Sequence, residues 1–124
     1  MKAIPQISEA ELEVIKIIWE LGQATSSQIV DRLYQISDWK PKTIQTLITR
    51  LVTKGAIKAE HTGGKAFLYS PCVSEDNYRA HANSTFLQKL YDGSVNSMLA
   101  SFVKEQKISR ADLEKLKKML DEEV

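Results

Sequence analysis

The feature that most constrains this fold is a change in hydrophobic period after Gly55. Before that glycine, three segments repeat apolar residues at the helical spacing of about 3.6 residues per turn. After it, Ala56 to Thr62 and Lys65 to Ser70 are predicted strands on either side of Gly63-Gly64. Because glycine accepts positive φ at both central positions, this pair predicts a two-residue hairpin turn. Three short helices followed by a β-hairpin indicate a winged helix-turn-helix.

The first two helices carry their own start signals. Ser8 with Glu11 is a capping-box pattern and predicts a helix over Glu9 to Leu21. Thr25 with Gln28 repeats the pattern for the second helix. Such boxes satisfy the backbone N–H groups that a helix start leaves without partners. Both helix starts are therefore predicted from local residues alone.

The third helix lies between Pro41, which fits its first position, and Gly55, which fits the residue just past its end. Its apolar side consists of Ile44, Leu47, Ile48 and Leu51. Its polar side consists of Lys42, Thr46, Thr49 and Thr53, with Thr43, Gln45 and Arg50 on the flanks. Threonine is a poor helix former, so a solvated helix more often carries glutamate and lysine there. The threonines therefore predict a function for this face.

The chemistry of that face suits DNA. Small threonine side chains permit close approach to base edges, and their methyl groups can meet thymine methyls. Gln45 can offer two hydrogen bonds to adenine, while Lys42 and Arg50 can contact phosphate or guanine. The bland alternative is a half-buried helix with indifferent polar residues.

Charge supports the same interpretation. Residues 40 to 65 hold six basic side chains and one acid, a local net charge of +5 in a chain whose total is +1. No acid occurs from residue 39 to 59. Phosphate attraction depends on the local field, so a nearly neutral chain can still bind DNA, although solvated lysines alone would give the same count. The predicted DNA contacts are Lys42, Thr43, Gln45, Thr46, Thr49, Arg50, Thr53 and Lys54, with His61 and Lys65 on the wing.

Three further helices are predicted after Pro71. The first runs from Glu75 to Tyr91, and Ser109 with Asp112 caps the last. Their apolar residues follow the spacing of one helical face. The residues of these apolar faces are Phe86, Leu90, Val95, Met98, Leu99, Phe102, Val103, Leu113, Leu116 and Leu120. We expect residues 1–72 to form the DNA-binding domain and residues 73–124 a separate three-helix module.

The stretch from Asp38 to Gly55, DWKPKTIQTLITRLVTKG, resembles the penicillinase and methicillin-resistance repressor family (BlaI/MecI). The recognition helix of that family carries W-S-P-K-T-I-[RQ]-T-L-[IL]-x-R-L-x-K-G. Further agreement lies in Ile7 to Val14 with Ile18-Trp19, in Phe86 to Gly93 and in Asn96 to Met98, so the resemblance covers essentially the whole chain.

This resemblance implies a mainly α fold with a small β-hairpin, in which an N-terminal winged helix-turn-helix binds operator DNA. It also implies that residues 73–124 are a dimerisation module, in which the apolar faces named above form the interface of a homodimer. Lys42, Thr43, Thr46 and Arg50 match positions that contact DNA in such repressors. Lys40 stands where the family commonly has a serine cap, which predicts weaker capping and adds a positive charge.

The family resemblance also implies release by proteolysis. Regulated cleavage in this family falls before a phenylalanine, commonly after asparagine, and the corresponding bond here is Ser101-Phe102. A cut beside Phe102 would destroy the dimer core and derepress genes of the β-lactam-resistance type. The partner implied for this step is a membrane sensor-protease.

Composition excludes other classes. No apolar run approaches the roughly 20 residues that span a bilayer, so stable membrane association is not expected. The start of the chain lacks the apolar stretch of a signal peptide, and Cys72 is its single cysteine. We therefore expect a cytoplasmic protein with no disulfide, metal or cofactor.

Three alternatives remain from the sequence. A copper-responsive repressor of related architecture would need a C-terminal cysteine cluster, whereas this chain has only Cys72. A winged helix used only for protein contacts would share the fold but not the salt-dependent DNA binding. An enzyme is disfavoured because His61 and His81 lie in unrelated segments and no nucleophile motif or glycine-rich phosphate loop occurs.

Overall fold

The computed structural model describes residues 4–123 and confirms the predicted mainly helical fold with an N-terminal winged helix. Its helices are α1 (Glu9–Leu21), α2 (Ser26–Tyr34), α3 (Pro41–Thr53), α4 (Glu75–Tyr91), α5 (Val95–Lys104) and α6 (Arg110–Glu123). Its strands are β1 (Ala24–Thr25), β2 (Ile57–His61) and β3 (Phe67–Pro71). Residues 1–3, which begin the segment that lacks the apolar stretch of a signal peptide, lie outside the described residues.

The three predicted capping boxes form. In each box the cap hydroxyl accepts a hydrogen bond from the backbone N–H three residues later, and that residue's side chain accepts one from the cap N–H. The boxes are Ser8 with Glu11, Thr25 with Gln28 and Ser109 with Asp112, with hydrogen bonds of 2.8 to 3.3 Å. By contrast, α3 begins at Pro41 and Lys40 makes no side-chain capping bond, as expected.

The described residues form two compact units that divide between His81 and Ala82, within α4. The first unit holds the buried core, which unites the apolar sides of α1, α2 and α3 with the sheet. Its fully buried side chains include Val14, Ile15, Ile18, Ile29, Leu33, Ile44, Ile48, Leu51 and Ile57. Burial of this core is the main favourable contribution to folding of the winged helix.

Trp19 attaches the start of α4 to the first unit. Its indole Nε1 donates a hydrogen bond to the carbonyl of Val73 at 2.9 Å. The ring of Tyr78 packs against Trp19 with a centroid separation of 5.7 Å. The first compact unit includes this start of α4 and ends at His81, and the functional domain boundary at residue 72 stays a prediction.

A third strand completes the sheet that the sequence presented as a hairpin. The strand order is β1-β3-β2, and all neighbours are antiparallel. The short strand β1 pairs Ala24 with Tyr69 and Thr25 with Leu68. Two residues are too few to show a strand period, so β1 was not predicted.

The predicted two-residue turn at the wing tip is wrong. The pairing of β2 with β3 stops earlier and leaves a five-residue loop, Thr62 to Ala66. In this loop Gly63 has a φ of 90°, whereas Gly64 does not adopt a positive φ. The Thr62 hydroxyl explains the wider loop, because it donates to the carbonyl of Ala66 at 3.0 Å and accepts from the N–H of Gly64 at 3.4 Å. Lys65 therefore lies in the loop and not in a strand.

The second unit has helices but no buried residue among residues 82–122. The Tyr91 hydroxyl donates to the Ser101 Oγ at 3.3 Å and joins α4 to α5, and the Tyr91 ring lies 5.7 Å from that of Phe86. Large apolar side chains are exposed along these helices. They are Phe86, Leu90, Val95, Val103, Leu113, Leu116, Met119 and Leu120.

Candidate nucleic-acid interface

The rotation of α3 about its axis is set by its buried side. Ile44, Ile48 and Leu51 are fully buried, and Leu47 is nearly so. Because these residues lock one side of the helix into the core, the opposite side must face solvent. Two features of the sequence produce this arrangement: the proline at the first helical position sets where α3 begins, and the apolar spacing sets which side is buried.

The polar residues predicted to contact DNA are all exposed. On α3 they are Lys42, Thr43, Gln45, Thr46, Thr49, Arg50 and Thr53. One helix thus brings together the predicted cations, the predicted hydrogen-bonding amide and the threonines. A helix that exposes such a face has the dimensions that fit the DNA major groove, which is about 12 Å wide.

The threonine hydroxyls on this face are already used as donors. Those of Thr46, Thr49 and Thr53 each donate to the carbonyl four residues earlier, at 3.0 Å in every case. Each oxygen keeps lone pairs that can accept a hydrogen bond, and each methyl group stays free. The threonines are therefore suited to contact thymine methyls or to accept from base amino groups, and poorly suited to donate to phosphate.

The cations near this face fall into two groups. Lys54 bonds to the carboxylate of Glu11, and Lys58 lies 3.1 Å from Glu60. Within residues 4–123 the remaining basic side chains of this region have no ion-pair partner. These unpaired side chains are Lys40, Lys42, Arg50 and Lys65. Only the second group is free to meet phosphate without first losing a carboxylate partner.

The contacts of Lys54 were missed by the sequence analysis, which placed this residue among the DNA contacts. Its Nζ donates to Glu11 Oε1 and to the carbonyl of Gln6, the latter at 2.9 Å. Burial alone would raise the pKa of the Glu11 carboxyl, but hydrogen bonds from Lys54 and Ser8 and the positive charge of Lys54 lower that pKa overall. A contact of Lys54 with DNA stays a prediction, and in the structure its side chain is bonded to Glu11 and Gln6 instead.

The two residues predicted to contact DNA from the wing lie in different elements, one in a strand and one in the loop. His61 ends β2 and packs against Phe67 in a tilted arrangement, with ring centroids 4.5 Å apart, and remains exposed. Lys65 is exposed in the loop. In the described residues, no hydrogen bond or ion pair joins either of them to α3.

A groove beside α3 adds residues that the sequence analysis did not select. The first turn of α2 supplies Ser26 and Ser27, and the next turn supplies Asp31, opposite Lys42 and Gln45 of α3. The Thr25 capping signal located this helix start but did not show that it lies beside α3. Asp31 therefore brings one acid close to a face whose own sequence from residue 39 to 59 has none.

Two other kinds of site are absent from the described residues. No helix among residues 4–123 is long and apolar enough to cross a membrane. No three His, Cys, Asp or Glu side chains in that part of the chain are grouped to hold a metal ion.

Comparison with known proteins identifies the family. The family model described as penicillinase repressor matches residues 7–122. The chain is 39% identical over 122 residues to the penicillinase repressor of Bacillus licheniformis, a match that covers 98% of this chain and 94% of that protein. It is 37% identical over 116 residues to the methicillin resistance regulatory protein MecI of Staphylococcus aureus, with 94% of each chain covered. This chain belongs to the penicillinase repressor family.

Membership in this family confirms two predictions: the chain is a winged-helix DNA-binding repressor, and it is a regulator rather than an enzyme. The solution structure of the DNA-binding domain of the repressor BlaI matches at 45% identity and a TM-score of 0.56, covering 63% of this chain and 94% of that one. A solution structure of monomeric Bacillus licheniformis BlaI in complex with the blaP half-operator matches at 46% identity and a TM-score of 0.54, with the same coverage.

Proposed function

We propose that this repressor binds a pseudo-palindromic operator as a homodimer, with one α3 helix in the major groove of each half-site. The observation that carries the proposal is the exposed face of α3, where Lys42, Thr46 and Arg50 lie on a helix without acids. The relative solved with the blaP half-operator is a monomer, which supports one winged helix per half-site. Symmetric dimers place two such helices about one turn of DNA apart, or a multiple of it.

Dimerisation is proposed for the helices of residues 73–124. Apolar side chains in this segment are exposed, with Leu120 at 66% and Leu90 at 58%. Exposed large apolar side chains that group on a surface mark an interaction site. The spacing of these residues along one face of each helix supports a second copy of this chain as the partner.

Release by proteolysis is the second part of the proposal. The Ser101-Phe102 bond lies within α5, and both residues are half-buried. A protease must therefore unwind this part of α5 and break the bond between Tyr91 and Ser101 before it can cut. Loss of the dimer would then remove one of two linked half-site contacts and lower operator affinity steeply.

The genes and the signal are also part of this proposal. The relatives are named for penicillinase and methicillin resistance. We therefore propose that this chain represses genes of the β-lactam-resistance type and that a membrane sensor-protease starts cleavage. Mass spectrometry of the chain from cells exposed to a β-lactam should detect a fragment ending at Ser101. An intact chain in derepressed cells would contradict this step.

Operator binding is tested with the full chain and a fluorescent duplex that carries two blaP half-operators. Fluorescence anisotropy should give tighter binding to this duplex than to a scrambled one, and the affinity should fall steeply with salt. The double variant Thr46→Ala with Arg50→Ala should lose this preference. A matched control, Thr85→Ala with Arg110→Ala, changes the same residue types outside α3 and should keep it.

Two results would contradict the proposal that α3 is the helix that reads DNA, called the reading helix below. The α3 variant could bind as tightly as wild type and with the same salt dependence, in which case another surface contacts DNA. Alternatively, wild type could fail to distinguish the operator duplex from the scrambled one at any salt concentration. The second result would favour a winged helix that acts through protein contacts.

A further inference from the structure

A buried carboxylate lies beside the end of the reading helix. Glu11 is 2% exposed and is the one charged side chain that is buried among the described residues. It accepts hydrogen bonds from the N–H of Ser8, at 2.9 Å, and from Lys54 Nζ. A buried ionised group is costly unless it is paired and hydrogen-bonded, and here both conditions are met.

The cation in this pair belongs to the end of α3. Lys54 directly follows the last residue of the helix, and its N–H donates to the carbonyl of Arg50 at 2.9 Å. Its side chain crosses to the start of α1, where it also donates to the carbonyl of Gln6 at 2.9 Å. One ammonium group therefore connects the end of the reading helix both to the first turn of α1 and to the segment before it.

The local ending of α3 does not need this connection. Gly55, with a φ of 80°, donates to the carbonyl of Val52, and Ala56 donates to that of Leu51, each at 3.0 Å. These two bonds form a Schellman motif, which satisfies the last carbonyls of the helix. What the Lys54 side chain adds is therefore the position of the helix end relative to α1.

We propose that Lys54 is a positioning residue of the reading helix, which it holds against α1 through Glu11 and the Gln6 carbonyl, and that it does not contact phosphate. The proposal rests on the proposed function of α3 in reading DNA. Moving the ammonium to a phosphate would leave the carboxylate of Glu11 buried without its cation. Recognition also needs contact groups held within about 0.5 Å, which a fixed helix end provides for Arg50, one turn earlier.

The test compares Lys54→Met with Lys42→Met in the full chain, bound to a fluorescent duplex of the blaP half-operator. Circular dichroism first confirms that each variant is folded at the assay temperature. Lys54→Met should lower affinity by about 2- to 30-fold, the range for residues that act on a site without touching its ligand. Its salt slope should stay that of wild type. Lys42→Met should instead flatten the slope by about 0.9, as expected for one lost phosphate contact.

A double-mutant cycle tests the route through Glu11. If Lys54 acts through Glu11, then Glu11→Gln and Lys54→Met should each lower affinity, and the double variant should be little worse than either. Lys54→Arg should bind nearly like wild type, since it keeps the charge and the donors. Glu11→Gln keeps a side chain of the same shape, so this arm remains informative if Lys54→Met fails to fold.

The outcomes separate the possible roles. A slope flattened by about 0.9 in Lys54→Met would make Lys54 a phosphate contact and overturn the proposal. Lower thermal stability with unchanged half-operator affinity would also overturn it, because Lys54 would then only stabilise the fold. If wild type and Lys42→Met show no salt-dependent binding to the half-operator, the proposed function itself fails.

Discussion

Replacing one exposed lysine of α3 should change the salt dependence of DNA binding by a predictable amount. Of the six basic side chains in residues 40–65, two are held by carboxylates. Lys54 bonds to Glu11, and Lys58 bonds to Glu60. In the part of the chain that the structure describes, the other four have no ion-pair partner and are available to DNA. They are Lys40, Lys42, Arg50 and Lys65.

These numbers fix the expected slope. Each neutralised phosphate changes the slope of log K against log salt by about −0.9 on duplex DNA. Four free cations give a slope of roughly −3.6 for one winged helix on the blaP half-operator, and six would give roughly −5.4. Lys42→Met should flatten this slope by about 0.9, and by about 1.8 when a dimer binds both half-sites.

The assay is fluorescence anisotropy over a salt series from about 50 to 200 mM, the range in which such slopes are well resolved. Lys117→Met is the matched control, because it removes an exposed lysine of α6 and should leave the slope unchanged. A wild-type slope near the value for six cations would refute the division into free and paired lysines. An unchanged slope in Lys42→Met would refute phosphate contact at the start of α3.

Three further changes test other parts of the structure. Thr46→Val should bind within about twofold of wild type and Thr46→Ser about fourfold more weakly in anisotropy titrations, because the lost methyl group accounts for about 0.8 kcal/mol; the reverse order would show that the hydroxyl reads DNA. Glu11→Gln should unfold at lower urea concentration than wild type at pH 7, with a free energy of unfolding smaller by about 1 to 3 kcal/mol. The lowered pKa of Glu11 stabilises the fold above its ordinary value of 4.5, and this contribution is lost as pH falls through the lowered pKa, so the difference between the two proteins should shrink in acid and a constant difference would contradict it. Leu116→Asp with Leu120→Asp should yield monomers in light scattering, with operator affinity about 100-fold lower and half-operator affinity unchanged; a persistent dimer would exclude this face.

Local signals were predictable because they act within a few residues. The capping box of Ser8 with Glu11 forms as expected, since each group bonds to backbone three residues away. Pro41 begins α3, and Gly55 follows its end in the left-handed region, as their conformational preferences require. The exposed face of α3 followed from the apolar spacing, which dictates what is buried.

Contacts between distant segments were not predictable. Glu11 and Lys54 are 43 residues apart, and the sequence shows Glu11 as the third helical residue of a capping box and Lys54 as part of a basic cluster. Strand β1 forms because Leu68 and Tyr69 of β3 lie beside it and pair with it. The wing loop widened because the Thr62 side chain bonds across it, an interaction that a glycine pair does not indicate. In each case a tertiary partner decided the outcome.

The pairing of some lysines with carboxylates bears on how the proposed dimer would control binding. Non-specific affinity for DNA comes from free cations, so each cation held by a carboxylate weakens attraction to any duplex. On the proposed function, discrimination then depends more on the threonine methyl groups and Gln45, whose contacts would differ between bases. On the same proposal, a winged helix with few free cations binds one half-site weakly, and tight repression requires the second, linked half-site. On the proposed function, a single cut at Ser101-Phe102 is therefore sufficient for release, because the helices that link the two half-sites contribute more to affinity than any one residue of α3.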